Sequence, residues 1–172
     1  KLAGLKSRDQ AKTFIYALIY GAGDEKIGSI IKGGRREGAR MRQRFLSGLS
    51  AFSSLKTRID TASKKGFLKG LDGRKIKLRH QHAALNTLLQ SGGAIVMKRA
   101  LIIFDNKLKL NSIPFKIVAN VHDEWQGETL EKNADFVGEV AVQSIIDTAE
   151  YYNMRCPLDA EYRIGNDWSE TH

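Results

Sequence analysis

Proline is almost absent from this chain, and this constrains its fold more than any other feature of the sequence. Only Pro114 and Pro157 occur, so the residues before Pro114 can form long helices without interruption. In that part the apolar residues recur mostly at the spacing of amphipathic helices, whereas from Phe115 onward they alternate with a period of two. The sequence therefore predicts an α+β fold in which helices come first and antiparallel strands, packed on helices, follow.

The first helix is marked at both of its ends. Ser7 is a typical N-cap residue, Asp9 falls in the first turn and Gly21 is a typical terminator, which together predict a helix over 7–21. The same apolar spacing predicts three more helices, a short one over 24–32 and two within 34–65 that are separated near 47–50. We therefore expect the chain to be helical up to about residue 65.

A hairpin and a long helix are predicted next. Residues 67–79 alternate apolar and basic side chains on both sides of Asp72-Gly73, a dipeptide favoured in tight hairpin turns. Residues 82–110 then have helical spacing, with Gly92-Gly93 in the interior. Each glycine weakens a helix by about 1 kcal/mol relative to alanine. The pair therefore indicates close approach of another backbone or of a ligand.

The second part of the chain reads as a hairpin, a helix and a last strand. The segments FKIVANV, from Phe115, and HDEWQGE, from His122, are typical of two strands joined by a tight turn, with 122–124 at or near the bend. Helical spacing returns over about 132–152, and 159–165 is predicted to form a short final strand.

The charge of the chain is unevenly distributed. Its 28 basic and 19 acidic side chains give a net charge of +9. Residues 1–82 hold 20 basic and 6 acidic side chains, whereas residues 83–172 hold 8 and 13. A first half this basic is typical of proteins that bind a polyanion, most often nucleic acid, although a solvated basic surface remains an alternative. Much of the charge is predicted on the polar faces of the helices within 34–65, at Arg35, Arg36, Arg40, Arg42, Arg44, Arg58, Lys64 and Lys65.

Several classes of protein are excluded or disfavoured by composition. The single cysteine, Cys156, cannot form an internal disulfide, and no Cys/His cluster supports a structural zinc site. The longest apolar stretch, around 94–104, is interrupted by Lys98 and Arg99, so no membrane span is expected. The first dozen residues lack the apolar core of a signal peptide. We expect a reducing, cytoplasmic setting.

Four side chains of the first predicted helix fall on one face. Arg8, Lys12, Tyr16 and Tyr20 follow one another at four-residue steps, and each step turns the helix by only about 40°. Two cations followed by two aromatic hydroxyls suit a nucleoside triphosphate, with the cations on phosphate oxygens and the tyrosines against sugar and base. The alternative is an amphipathic helix with core tyrosines and solvated cations.

Two carboxylates lie at the bend of the second hairpin. Neighbouring carboxylates such as those of Asp123 and Glu124 can hold Mg²⁺, which prefers oxygen ligands and keeps several waters. The alternative is that Asp123 serves only the geometry of the turn.

A polar row is predicted along the long helix. His82, Asn86 and Gln90 recur at four-residue spacing on an otherwise apolar segment. Such side chains can donate to the N3 and O2 acceptors that every base pair presents in the minor groove, which tests duplex shape without reading sequence. A row that simply faces solvent is the alternative.

Taken in order, these segments resemble the DNA polymerase I-like (family A) DNA polymerases, and most of all their phage replicative branch. RDQAKTFIYALIYG, from Arg8, resembles the fingers motif, and VHDE, ending at Glu124, resembles the palm motif with its metal-binding aspartate. The other segments follow in the order and approximate spacing of the family: GLDGRK at 70–75, HAALNTLLQSGGA at 82–94 and GNDWSETH at 165–172. The resemblance implies helical fingers over 1–66 and the C-terminal part of the palm over 67–172.

The resemblance also implies roles on the fingers helix. Arg8 and Lys12 would bind the incoming triphosphate, and Lys12 would also be a candidate acid that protonates the pyrophosphate leaving group. Tyr16 would lie by the sugar 3′ position, where a tyrosine in place of phenylalanine is associated in this family with poor discrimination against dideoxynucleotides. Tyr20, with Gly21, would lie by the templating base and the nascent pair.

In the palm, the resemblance assigns the catalytic magnesium ions to Asp123, with His122 and Glu124 beside the primer end and the metals in supporting roles. Primer–template contacts would come from Gly21, Arg74, His82, Asn86, Gln90 and His122. His82 stands where cellular members commonly have an arginine.

One essential element of the family is not in this sequence. The reaction uses two magnesium ions held mainly by two aspartates, and only Asp123 is present, because the other belongs to a motif upstream of the fingers helix. The chain also begins without a methionine. The expected partners are therefore primer–template DNA, dNTPs and an upstream palm and thumb segment or complementary chain, with no membrane. A subunit of a split polymerase and a non-catalytic DNA-binding module are the alternatives.

Overall fold

A computed structural model of the chain describes residues 5–171. Residues 1–4 of the predicted fingers and the final histidine of GNDWSETH lie outside the described residues. The helices are α1 (Arg8–Ile19), α2 (Asp24–Ser29), α3 (Arg35–Ser47), α4 (Ser50–Ser63), α5 (Ala84–Leu110), α6 (Ala134–Tyr151) and α7 (Trp168–Thr171). The strands are β1 (Phe67–Lys69), β2 (Lys75–Lys77), β3 (Phe115–Val121) and β4 (Glu124–Thr129), and short 3-10 turns at Gln81–Ala83 and Glu131–Asn133 precede α5 and α6. The predicted order of helices and hairpins is confirmed.

The chain divides into two compact units, Lys1–Ser91 and Gly92–His172. Helix α5 contributes its first two turns to the first unit and its remaining turns to the second. The helices α1 to α4 and the β1–β2 hairpin belong to the first unit, and the β3–β4 hairpin, α6 and α7 belong to the second.

Helix α1 begins where the sequence predicts. The hydroxyl of Ser7 accepts a hydrogen bond from the backbone N–H of Gln10 at 3.2 Å, which satisfies one of the free donors of the first turn. One face of α1 buries Phe14 and Leu18 in a core shared with Ile27 of α2 and Met41 of α3. The helix thus has one buried and one exposed face.

Glycines bring α2 unusually close to α3. A Cβ atom added at Gly38 would lie 1.8 Å from the carbonyl oxygen of Asp24, and one at Gly28 would lie 2.0 Å from that of Gly34. Any larger residue at either position would push the two backbones apart. This close contact fixes the short helix α2 on α3, although α2 has fewer than two turns.

The β1–β2 hairpin forms with the predicted dipeptide in its loop. Leu68 pairs with Ile76, and the N–H of Gly73 donates to the carbonyl of Gly70 at 3.0 Å. Gly73 has a φ of +84°, which is typical of a three-residue loop that ends in a glycine bulge rather than of a two-residue turn. The hairpin packs Leu68 on Ile59 of α4 and on the start of α5.

A second core holds the β3–β4 hairpin against α5 and α6. Phe104 of α5 is fully buried between Phe115 and Trp125, with ring centroids at 5.1 and 5.5 Å. Leu108 and Val137 complete this cluster. The register runs from Phe115 opposite Thr129 to Val121 opposite Glu124, with an irregularity after Ile117, so the strands meet at a tight turn.

The predicted final strand over 159–165 is wrong. This segment has no strand assignment, and β3 and β4 pair only with each other among the described residues. A strand requires a hydrogen-bonded neighbour, and none is offered to this segment within residues 5–171. Instead Tyr162 lies against α6, where a Cβ added at Gly138 would come within 2.3 Å of its ring.

Two further expectations about α5 need correction. Apart from the helix's own backbone, no atom lies within 4 Å of a Cβ built at Gly92 or Gly93, so the approach of another backbone is not found among the described residues, whereas approach of a ligand stays a prediction. In addition, Gln81–Leu110 is long and apolar enough to cross a membrane by length and composition alone, because Lys98 and Arg99 are too few to lower its apolar character. Only 17% of its apolar window is buried, and Phe104 and Leu108 of α5 lie in the second core.

Candidate active site

The four-residue row on α1 is exposed. Arg8, Lys12, Tyr16 and Tyr20 all face solvent, and the two tyrosines keep about half of their surface accessible, at 52% and 53%. The alternative in which these tyrosines belong to the core is therefore wrong, because Phe14 and Leu18 on the other face of α1 fill that role. No carboxylate of the described residues lies within 4 Å of the Arg8 or Lys12 cation.

The end of α1 lies directly against the start of the α5 segment. Gly21 has a φ of +76°, and a Cβ added there would lie 2.2 Å from the carbonyl oxygen of His82. Glycine is therefore required at this position for both its backbone conformation and its lack of a side chain. The structure thus brings together Gly21 and His82, two residues that the sequence assigned to DNA contact from separate motifs.

The polar row at the start of α5 is accessible. His82 and Gln90 are exposed and Asn86 is half-buried, whereas Ala84 and Leu85 on the other side are buried. The side-chain amides of Asn86 and Gln90 have no hydrogen-bond partner in the part of the chain that the structure describes. The His82 ring stacks on that of His80, with centroids 5.3 Å apart and planes at 14°. The row therefore offers free donors on one face.

Arg74 is engaged within its own loop. Its guanidinium contacts the Asp72 carboxylate, with Nη2 at 2.6 Å and Nε at 2.7 Å from Oδ2. The hydrogen bond from Arg74 lowers the pKa of Asp72 below its ordinary value. An ion pair between Asp72 and Arg74 thus stabilises the hairpin loop. The sequence did not predict this ion pair, although the two residues are only two positions apart.

The turn of the second hairpin presents Asp123 to solvent. His122 has a φ of +53°, in the left-handed region that is uncommon for residues other than glycine, and Asp123 follows it between β3 and β4. Asp123 is exposed, whereas Glu124 at the start of β4 is half-buried. The predicted placement of residues 122–124 at the bend is confirmed.

A short chain of side chains supports Glu124. Its carboxylate accepts a short hydrogen bond from the Nε2 of Gln126, and the Oε1 of Gln126 accepts one from the hydroxyl of Thr171 at 3.2 Å. Sequence reasoning missed Gln126 and Thr171. The spacing of Glu124 and Gln126 could have indicated their contact, because residues two apart on a strand share a face, but nothing local points to Thr171.

The donor set suits Mg²⁺ but is incomplete. Carboxylate oxygens are the ligands that this ion prefers, and Asp123 and Glu124 provide them at adjacent positions. However, no group of three or more His, Cys, Asp or Glu side chains that could hold a metal ion occurs among the described residues. Within residues 5–171 the turn therefore presents two adjacent carboxylates without a complete metal site.

Arg42 does not lie where the sequence predicted it. We predicted it on the polar face with the other arginines, but its guanidinium donates to Asp24 Oδ1 at 2.7 Å and to the carbonyl of Ala22 at 2.5 Å. It lies one turn after Gly38, on the side of α3 that faces α2. Arg42 thereby holds the turn that immediately follows Tyr20 and Gly21.

Comparison with known sequences covers nearly the whole chain. A family model described as DNA polymerase family A matches residues 3–170. A DNA-directed DNA polymerase of Escherichia phage Phieco32 is 42% identical over 179 residues, which is 100% of this chain and 29% of the relative. The DNA-directed DNA polymerase of Escherichia phage T7 is 38% identical over 192 residues, which is 99% of this chain and 27% of that relative. The chain thus spans less than a third of the length of these relatives.

A solved structure has the same fold. The POL domain of Pol1 from M. smegmatis, in complex with DNA primer-template and dNTP, matches 90% of this chain and 28% of its own with a TM-score of 0.74. Its sequence identity of 20% limits this comparison to the fold, which confirms the predicted α+β class. The family resemblance and its phage branch are confirmed by the sequence matches, and the chain belongs to DNA polymerase family A, as a homologue of DNA-directed DNA polymerases.

Proposed function

We propose that this chain is the C-terminal fingers and palm part of a template-directed DNA polymerase, which adds dNTPs to a primer 3′-OH by two-metal-ion nucleotidyl transfer. The fingers would comprise residues 1–66 and the palm part residues 67–172. The observation that carries the proposal is the exposed row from Arg8 to Tyr20, which leads directly to the contact between Gly21 and His82. Nucleotide and template sites would thus be continuous along one unit.

The cations of α1 are suited to the triphosphate. The guanidinium of Arg8 and the ammonium of Lys12 are one turn apart on an exposed face, and neither is neutralised by a carboxylate of the described residues. Charge-assisted hydrogen bonds to phosphate oxygens are about twice as strong as neutral ones. Lys12 would also donate a proton to the departing pyrophosphate, while Tyr16 would lie by the sugar and Tyr20 by the templating base.

Duplex DNA would be held on the polar row of α5. Asn86 and Gln90 have amide donors without protein partners in residues 5–171, which suits acceptors that all base pairs share in the minor groove. His82 and Gly21 would contact the nascent pair, with His122 beside the primer end. Arg74 would contact the DNA backbone from its loop, where Asp72 fixes its guanidinium.

Magnesium would be held by Asp123. Family A polymerases use Mg²⁺, and this ion, when bound, supplies charge stabilisation for the attacking and leaving oxygens. Asp123 projects from the turn into solvent, free to serve as a ligand, and Glu124 is oriented by Gln126. A second aspartate would come from upstream palm sequence, so that activity needs the upstream palm and thumb.

The relatives support the same partners. The M. smegmatis polymerase domain was solved with primer-template and dNTP, and the phage relatives extend well beyond the aligned region. We therefore infer primer–template DNA, dNTPs and an upstream polymerase segment as partners, in a reducing cytoplasmic compartment, which would be that of the host if the gene belongs to a phage.

The test uses the full-length polymerase that carries this chain. Asp123→Asn should lower primer extension at least about a thousandfold, because charge stabilisation by the metal is worth several kcal/mol, and should leave primer–template binding intact. Asp135→Asn, an exposed carboxylate at the start of α6, is the matched control and should retain activity. If the chain is instead a non-catalytic DNA-binding module, Asp123→Asn should change neither primer extension nor DNA binding more than Asp135→Asn does.

A second experiment addresses the dependence on other segments. The isolated 172 residues should bind DNA weakly and extend no primer with Mg²⁺, and addition of a fragment with the upstream palm and thumb should restore synthesis. Extension by the isolated chain would contradict the role assigned to the missing aspartate. A complex that forms but stays inactive would argue against the split-polymerase alternative.

A further inference from the structure

Helix α3 has an arginine row on its outer face. Arg36, Arg40 and Arg44 follow one another at four-residue steps, so each lies about 6 Å further along the axis and about 40° around it. All three side chains are exposed. The inner face of the same helix packs Gly38, Met41 and Phe45 against α1 and α2. We call Arg36, Arg40 and Arg44 the α3 arginine row.

The row is not neutralised by its surroundings. Arg42, on the inner side, is paired with Asp24, but no carboxylate of residues 5–171 lies within 4 Å of the row. Glu37 is an acidic group whose charge interacts with Arg40 and Arg36, and its carboxylate accepts a hydrogen bond from the N–H of Gly34 at 3.0 Å. Backbone hydrogen bonds lower the pKa of Glu37 most, and the charges of Arg40 and Arg36 lower it further. Glu37 therefore stays ionised but is committed to the start of the helix.

Helix stability does not explain the row. Like charges at four-residue spacing destabilise a helix, and three arginines in succession create two such pairs. Arginine differs from lysine in its planar fork of donors, which matches phosphate oxygens. The row contains no aromatic side chain on which a base could stack. Its chemistry therefore fits a chain of phosphates read without regard to sequence.

The α3 helix is tied to the end of α1. Arg42 donates to the carbonyl of Ala22, which directly follows Tyr20 and Gly21, and α2 is packed on α3 through Gly28 and Gly38. We propose that the α3 arginine row binds the phosphodiester backbone of the template strand that has not yet been copied. This inference rests on the proposed function, which assigns Tyr20 and Gly21 to the templating base.

The test is DNA binding by the full-length polymerase as a function of salt. Wild type and the triple variant Arg36→Gln, Arg40→Gln, Arg44→Gln are compared on primer–templates with a 5′ template overhang of about 2 or about 15 nucleotides. Each phosphate contact to single-stranded DNA contributes about 0.7 to the slope of log affinity against log salt. Between 50 and 200 mM salt, the wild type should therefore lose about 20-fold more affinity than the triple variant on the long overhang. The short overhang should give equal slopes.

Two further variants separate the row from general charge and from folding. Replacement of Lys116, Lys132 and Arg155 by glutamine removes the same charge from exposed positions elsewhere and should leave the slope on the long overhang unchanged. Lysine at all three row positions should keep most of the slope, because the charges remain. If the triple glutamine variant has the same free energy of unfolding as wild type, a folding defect cannot be the cause of its smaller salt slope.

The outcomes also distinguish this inference from the proposed function. If wild type extends primers but the triple glutamine variant binds the long overhang with wild-type affinity and slope, the inference is overturned and the proposed function stands. If the triple glutamine variant loses the same affinity on the short and the long overhang, the inference is also overturned, because the row would then contact duplex DNA. If the triple glutamine variant binds poly-glutamate less tightly than wild type but binds DNA equally well, the row binds an acidic protein and the inference is overturned. A wild type that extends no primer contradicts the proposed function itself.

Discussion

The backbone of Gly21 lies so close to His82 that a Cβ atom at position 21 would be 2.2 Å from the His82 carbonyl oxygen. This contact joins the end of α1 to the segment that begins α5. Because Gly21 also has a φ of +76°, the contact depends on glycine for two independent reasons. The exposed row of α1, from Arg8 to Tyr20, and the polar row of α5 are therefore held next to each other by a position without a side chain.

We expect Gly21→Ala to lower the free energy of unfolding by about 1–3 kcal/mol, since the left-handed conformation is strained for alanine and its methyl group would strike a backbone oxygen. Nucleotide incorporation should fall with it, because Tyr20 and His82 would move apart. Thermal denaturation and single-nucleotide extension measure the two effects. Gly23→Ala is the control, since a Cβ there has no atom within 4 Å. Equal stability of both variants would contradict the importance of the contact.

Arg42 should stabilise the turn after α1. Its guanidinium and the Asp24 carboxylate are 23% and 30% exposed, so removal of Arg42 leaves a partly desolvated charge and an unpaired carbonyl at Ala22. We expect Arg42→Ala to lower the free energy of unfolding by about 1–3 kcal/mol in denaturant titration. Arg44→Ala on the outer face should change it by no more than about 0.5 kcal/mol. If the two variants unfold alike, Arg42 does not have this role.

The sequence predicted the elements well because their signals are local. Ser7 and Gly21 bound α1, Asp72-Gly73 occupies the first hairpin loop, and alternation from Phe115 predicts the β3–β4 hairpin. That Arg8, Lys12, Tyr16 and Tyr20 share one face of α1 also followed from their four-residue spacing, whereas their exposure did not. Such signals depend on neighbours in sequence and need no knowledge of the remaining chain.

The errors concern contacts with distant partners. Residues 159–165 alternate like a strand, but a strand forms only beside another, and no partner is present among the described residues. Arginine is ordinarily a surface residue, so the sequence gives no sign that Arg42 faces inward. Its orientation is explained by its two acceptors, the Asp24 carboxylate and the Ala22 carbonyl. The contact between Gln126 and Thr171 likewise could not be predicted from local spacing, because 45 positions separate the two residues.

Tyr16 should control selection at the sugar 3′ position. Its side chain is 52% exposed, so Tyr16→Phe should leave stability unchanged while removing a hydroxyl from the proposed nucleotide site. We expect discrimination against dideoxynucleotides to rise by about tenfold, which corresponds to a hydrogen bond of about 1.4 kcal/mol. Competing dNTP and ddNTP incorporation by the full-length enzyme measures this ratio. Tyr162→Phe, in the second unit, is the control, and an unchanged ratio for Tyr16→Phe would remove Tyr16 from the site.

The ion pair between α5 and α6 should make stability depend on pH. Lys107 Nζ is 2.5 Å from Asp147 Oδ2, and Gln143 donates to Asp147 Oδ1 at 2.7 Å. Burial alone would raise the pKa of Asp147, but the hydrogen bonds from Gln143 and Lys107 outweigh it and lower the pKa below the ordinary value of 3.8. Because the pKa is depressed in the folded state, the stabilisation is complete above the unfolded value and is lost as the pH falls through the folded value.

Asp147→Asn should therefore destabilise the chain at pH 7, by up to about 1 kcal/mol for a pair that is about 30% exposed on both sides. The difference from wild type should shrink as the pH falls below the ordinary value of 3.8, because the carboxylate of the unfolded state is protonated first and that of the folded state follows only at its lower pKa. Denaturant titrations of the full-length protein at pH 7, 5 and 3 measure it. Glu139→Gln, exposed on α6 without an ion pair in the described residues, should show no such pH dependence. A difference for Asp147→Asn that persists unchanged at pH 3 would mean that the hydrogen bonds, rather than the charge of Asp147, provide the stabilisation.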